Sequence, residues 1–127
     1  MFFDGACTRE TAGVGVVFIS PSKETTHLSF KLHFKVTNNI AEYEALLLGL
    51  NAAKEMKIKR LQAYGDVDLI IQQVNKFFQA KHVRLKAYRD EVLKVIVAFT
   101  EFKISYIPRT MNQLADSLVV SASTFIH

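Results

Sequence analysis

The chain has 127 residues, half of them hydrophobic, and 16 Lys and Arg against 12 Asp and Glu give a formal net charge of +4. That length builds one good core but hardly two, so a single domain over residues 1–127 is expected; the basic excess, with a sequence pI near 9.3, favours a polyanionic partner but falls well short of a histone-like tail. The lone Cys7 excludes an internal disulfide and any zinc or dithiol motif, and no apolar stretch reaches the ~18 residues of a membrane span or has the layout of a signal peptide.

Met1 to Cys7 is short, apolar and aromatic, and Val14 to Ile19 is a β-branched run stopped by Ser20-Pro21. Both read as strands with a turn between them. From His27 to Phe34 the residues Leu28, Phe30, Leu32 and Phe34 alternate with Ser29, Lys31 and His33, the period of a strand with one wet face. Three consecutive strands at this spacing make an antiparallel meander. Thr37-Asn38-Asn39 are good helix caps, and Ile40 to Met56, rich in Ala, Leu and Glu and free of proline, is the first long helix.

Leu61 to Tyr64 is a short strand ending at Gly65-Asp66, and Leu69 to Phe78 a shorter helix. Leu85, Tyr88, Val92, Val95, Ile96 and Phe99 then recur every three or four residues, as in an amphipathic helix. Phe102 to Ile107 alternates as a fifth strand stopped by Pro108, and Thr110 or Asn112 opens a last helix through about Ser121. A fourth strand parallel to the first needs a crossover, which the Ile40 to Met56 helix supplies. The expected architecture is an α/β fold, a mixed five-stranded sheet with helices on both faces. The chain reads as soluble and intracellular, and the abrupt start at Phe2-Phe3-Asp4 suggests a domain cut from a longer polypeptide.

Four carboxylates stand on four of these elements where the local pattern calls for apolar or small residues: Asp4, Glu42, Asp66 and Asp116. Glu42 shares a helix face with Ala45, Leu46, Gly49, Leu50 and Ala53, whereas Glu44 shares one with Leu47, Leu48, Asn51 and Glu55, so Glu42 is the acid that faces the core. Each has a plainer reading. Glu42 suits the first turn of a helix dipole, Asp4-Gly5 a turn, Asp66 a helix cap with Asp68 able to replace it, and Asp116 a semi-polar surface beside Asn112, Val119 and Val120. Taken together, acids at a sheet's centre and on the helices covering it repel one another unless divalent cations neutralise them, which makes the set a metal site.

Asp4-Gly5-Ala6-Cys7, Thr37-Asn38-Asn39, Ala41-Glu42-Tyr43-Glu44-Ala45-Leu46, Gly65-Asp66, Ile107-Pro108-Arg109, Asn112 and Ala115-Asp116-Ser117-Leu118 follow in the order and spacing of type 1 ribonuclease H. Over Phe3 to about Ser123 the chain resembles that family, most of all the domains of plant long-terminal-repeat retroelements and their domesticated relatives. The resemblance implies strand order 3-2-1-4-5, with Asp4, Glu42, Asp66 and Asp116 as the metal-binding acids. It also implies hydrolysis of the RNA strand of an RNA/DNA hybrid by two Mg²⁺ ions, with Mn²⁺ as substitute and Asp4 bridging them. Gly5, Ala6, Cys7, Asn38, Asn39, Arg109 and Asn112 fall where the family meets its substrate, Asn38 and Asn39 in the minor groove. A reverse transcriptase domain of the same polyprotein is the implied protein partner.

Three departures from the family pattern carry expectations of their own. Arg109-Thr110-Met111 stands where many members carry a histidine, which implies slower turnover with metal binding kept, and Arg109 as a phosphate contact. Val67-Asp68 follows the third acid in place of the usual Ser and Gln or Glu, adding a carboxylate near the substrate phosphates. Only Phe78 to Arg84 separates the second and third helices, leaving no room for a basic protruding helix, although Lys76, Lys81, Arg84, Lys86 and Arg89 cluster there. Weak, salt-sensitive binding unless a polymerase domain helps is the expectation. The competing reading is a weak or inactive domain of the same fold that binds nucleic acid or a protein partner.

Overall fold

The computed structural model describes residues 1–7, 11–34, 36–76 and 79–112. Its elements are β1 (Phe2–Cys7), β2 (Ala12–Ile19), β3 (Thr25–Leu32), α1 (Asn38–Glu55), β4 (Arg60–Gly65), α2 (Asp68–Val74), α3 (Val83–Ile96) and β5 (Glu101–Tyr106), followed by a 3₁₀ turn, Arg109–Met111. The five strands form one sheet in the order β3-β2-β1-β4-β5. β1 to β3 are the antiparallel meander, in which Asp4 lies opposite Gly15 and Gly15 opposite Ser29. β4 joins β1 in parallel, and β5 runs parallel to β4 along its whole length.

The core lies between the sheet and the three helices. Phe3, Val14, Val16, Leu61, Ala63 and Ile104 project from the strands into one cluster with Tyr43, Leu46 and Leu50 of α1, Ile70, Ile71 and Val74 of α2, and Val92 of α3. Burial of such side chains at about 25 cal/mol per Å² supplies most of the drive to fold. α1 sits between β1 and β2 on one side and α3 on the other, which explains why Leu47 and Leu48 on its outer flank are also apolar. Thr37 caps it, its Oγ1 accepting the Ile40 N–H at 3.2 Å. The approach of α1 to β1 is close: a methyl group built on Gly5 would lie 2.8 Å from the Glu42 nitrogen and nearer still to the Ala41 carbonyl.

Several boundaries differ from the sequence expectation, β3 and α2 most. β3 begins at Thr25, two residues early, because a tight turn returns the chain at once: Lys23 N–H donates to the Ser20 carbonyl at 2.8 Å, with Lys23 at φ 67°. Phe34 therefore falls past the strand and is exposed. α2 stops at Val74, short of Phe78, because Lys76 adopts the left-handed conformation that ends helices and Asn75 Nδ2 donates to the Ile104 carbonyl at 3.2 Å. After Arg109–Met111 the expected last helix, and with it Asp116 and the cover of the sheet's second face, lies outside the described residues. Among the described residues no helix is long and apolar enough to cross a membrane.

Candidate metal centre

The carboxylates of Asp4, Glu42 and Asp66 converge, each offering an oxygen within 4.8 Å of the others. Three separate elements deliver them. Asp4 lies in the middle of β1, which runs to Cys7 as expected, so the plainer reading of Asp4-Gly5 as a turn does not hold. Glu42 is the fifth residue of α1, beyond the first turn, and faces the sheet at 1 % exposure, while Glu44 points elsewhere and accepts the Tyr88 hydroxyl. Because Gly5 has no side chain, Glu42 reaches β1 directly and its Oε1 accepts the Gly5 N–H at 3.0 Å. Asp66 follows the last residue of β4, at the carboxyl end of the parallel strands where ligand sites of α/β sheets collect. It does not cap α2, whose N-cap is Val67, and Asp68 is exposed and accepts a hydrogen bond from Gln72 Nε2 at 3.2 Å. The geometry thus separates Asp66 from Asp68.

The electrostatics are those of a site short of positive charge. Burial, then a hydrogen bond and repulsion from Asp4, with a smaller contribution from Asp66, push the Glu42 carboxyl from 4.5 up to about 11 against the opposing Gly5 N–H. The pair holds a proton where free carboxylates would have none. Asp66 Oδ1 is buried without a hydrogen bond, an arrangement destabilising in a bare protein and suited to a ligand that brings charge. All the donors are carboxylate oxygens, the set preferred by hard divalent cations such as Mg²⁺ and Mn²⁺. The residues present fit such an ion.

Around the acids, Asn38 Oδ1 accepts both the Cys7 N–H at 3.0 Å and the Cys7 thiol at 3.1 Å, so the first residue of α1 clamps the last of β1. This puts Asn38 beside Cys7, with Asn39 next to it on α1 and Gly5 and Ala6 just before Cys7 on β1. Arg109, 71 % exposed, extends a guanidinium nitrogen to 3.8 Å from Asp66 Oδ1, so it faces the acids. Asn112, expected at the substrate surface, is instead 1 % exposed and donates from Nδ2 to the Phe3 carbonyl at 2.9 Å and to Asp66 Oδ2 at 3.1 Å. Lys81, just before α3, and Arg84 and Lys86 at its start are exposed, while Arg89 is half-buried.

Sequence reasoning missed one polar network: Tyr43 donates to buried Gln73 Oε1 at 2.6 Å and stacks on Tyr88 with ring centroids 5.9 Å apart. Its signal was two tyrosines within apolar stripes, whose hydroxyls require partners once buried.

The family model described as reverse transcriptase-like matches residues 2–122. Ribonuclease HI of the archaeon Halobacterium salinarum is 28% identical over 123 residues, 95% of this chain, which spans 62% of that relative's length. The crystal structure of RNase H1 from Halobacterium salinarum superposes with a TM-score of 0.91 at 28% identity, covering 95% of this chain and 93% of the other. LC11-RNase H1, crystallised in complex with an RNA/DNA hybrid, gives a TM-score of 0.87 at 27% identity over 96% and 94% of the two chains. With the sheet order, the converging acids and a family match along nearly the whole sequence, the chain belongs to the reverse transcriptase-like family.

Proposed function

We propose that the protein is a metal-dependent ribonuclease H that hydrolyses the RNA strand of RNA/DNA hybrids, with Asp4, Glu42, Asp66 and Asp116 as its metal-binding acids. The carrying observation is the buried three-carboxylate cluster at the carboxyl end of β4, in a fold that superposes on a hybrid-bound RNase H1. Mg²⁺ ions, with Mn²⁺ as substitute, would supply an activated water and neutralise charge on the leaving oxygen.

The protein's part is to place and tune. Asp4, central in β1, would hold the ions together with Glu42 and Asp66. Glu42 gives up its proton when a cation arrives, so ion binding and deprotonation are one event. Asn38, with its oxygen committed to Cys7, keeps its amide hydrogens for a 2′-hydroxyl or base edge in the minor groove, alongside Asn39 and the backbone of Gly5, Ala6 and Cys7. Arg109 is exposed enough to turn from Asp66 to a phosphate. Its basic neighbours on α3 contribute a salt-dependent attraction. The retroelement-like motifs support a single domain working beside a reverse transcriptase domain.

A strand-labelled hybrid, an RNA duplex, a DNA duplex and single-stranded RNA, offered in Mg²⁺ and in Mn²⁺ at low salt, test the reading. Cutting confined to the RNA strand of the hybrid is expected. Cutting of duplex DNA would assign another nuclease activity to the fold, and hybrid binding without cutting would make the protein a binding domain.

A further inference from the structure

Where β1 and β4 approach the acidic cluster, their ladder stops. The Tyr64 N–H donates to the Met1 carbonyl at 2.8 Å, and a regular parallel ladder would repeat two residues on, with the Asp66 N–H donating to the Phe3 carbonyl. It does not: Phe2 opposite Tyr64 is the pair that registers β1 against β4. The Phe3 ring lies against Gly65, where a methyl group would come within 2.5 Å of ring carbon Cζ, and the Gly65 carbonyl accepts the Ile107 N–H at 2.9 Å. The ladder between β1 and β4 therefore ends just short of Asp4 and Asp66, whose carboxylates converge there.

One side-chain amide bridges the gap. Both hydrogens of Asn112 Nδ2 are used, on the Phe3 carbonyl of β1 and on Asp66 Oδ2 at the end of β4. The Asn112 backbone is fixed in turn, its N–H donating to the Arg109 carbonyl at 2.9 Å in the turn after Pro108. The amide's orientation follows from its neighbours, because a flip would set its oxygen against two other oxygens. At 1 % exposure the side chain is out of reach of a nucleic acid.

We propose that Asn112 is a positioning residue, a wedge that replaces the missing ladder bond and fixes the Asp66 carboxylate beside Asp4 and Glu42 by holding Oδ2 while Oδ1 is left without a hydrogen bond. This rests on the reading of the three acids as a metal centre. Asparagine suits the post because it presents two hydrogens from one planar nitrogen at the length of a short side chain. Alanine has neither hydrogen, and aspartate would add an oxygen where two already stand.

Manganese binding by the whole chain, followed by the electron paramagnetic resonance of free Mn²⁺, reads this directly. Asn112→Ala should weaken binding about tenfold or more, the usual consequence of removing a hydrogen-bond partner of a metal ligand. Its far-UV circular dichroism should stay that of the parent, and Thr110→Ala, on the same exposed turn, should bind as the parent does. A folded Asn112→Ala that binds Mn²⁺ within twofold of the parent overturns the inference and leaves the metal centre standing. A parent that binds no Mn²⁺ overturns both. Should Asn112→Ala not fold, NMR of the parent decides: the Asn112 side-chain amide hydrogens should exchange slowly and shift on Mg²⁺ titration, and fast exchange or unmoved signals in a chain that binds the ion overturn it.

Discussion

Glu42→Gln should stabilise the metal-free protein, by an amount that grows with pH. In the unfolded chain Glu42 loses its proton near 4.5, whereas in the fold burial and Asp4 hold its carboxyl to about 11. A carboxyl with a raised folded pKa contributes stability that is fully present below the unfolded value and is lost as pH rises toward the folded one. The loss runs at about 1.4 kcal/mol per pH unit above the unfolded value of 4.5, so at pH 7 it amounts to about 3 kcal/mol. Glutamine keeps an oxygen for the Gly5 N–H and does not titrate. In EDTA its melting temperature should match the parent's near pH 4.5 and exceed it by about 10 °C at pH 7, at roughly 4 °C per kcal/mol for a domain of this size. Burial also lowers the Met1 α-amino group to about 6, which adds stability between pH 6 and 8 in both proteins and drops out of the difference. Excess Mg²⁺ should reverse the order, raising the parent's melting temperature far more than the variant's. A gap between the two melting temperatures that is the same at pH 4.5 and pH 7 would refute the reasoning.

Gly5→Ala should cost about 3 kcal/mol or more in urea unfolding, because the new methyl group overlaps the backbone of Ala41 and must push α1 off β1. Tyr43→Phe leaves buried Gln73 Oε1 without its donor, and should lower stability by about 1–3 kcal/mol while Mn²⁺ affinity stays unchanged. Arg109→Ala removes a cation 3.8 Å from Asp66, so Mn²⁺ should bind a few times more tightly while the KM for hybrid rises.

Much of this fold was legible in the sequence, because its signals are local. Strand alternation, the Thr37 cap and the proline after β5 each depend on a few neighbouring residues, and the core-facing side of α1 could be worked out by counting from Glu42. The errors arose where distant contacts decide. Lys76 ends α2 through a left-handed backbone that nothing in its side chain advertises, and β3 is set by the hairpin's hydrogen bonds more than by Phe34.

The acids could be picked out as misfits in apolar patterns, but the choice between Asp66 and Asp68 needed the end of β4 in three dimensions. Asn112 shows the deeper limit. A polar residue near the site reads as a substrate contact in sequence, and only the end of the ladder between β1 and β4 gives its amide two partners from strands far away in the chain.

The central claim is that these acids hold the ions that cut RNA, and the most direct measurement is cleavage of a labelled RNA/DNA hybrid by the parent and by Asp4→Asn across a Mg²⁺ titration. The account predicts metal-dependent cutting of the RNA strand by the parent and none by the variant, with both folded. Cutting that persists in Asp4→Asn, or that proceeds equally in EDTA, would contradict it.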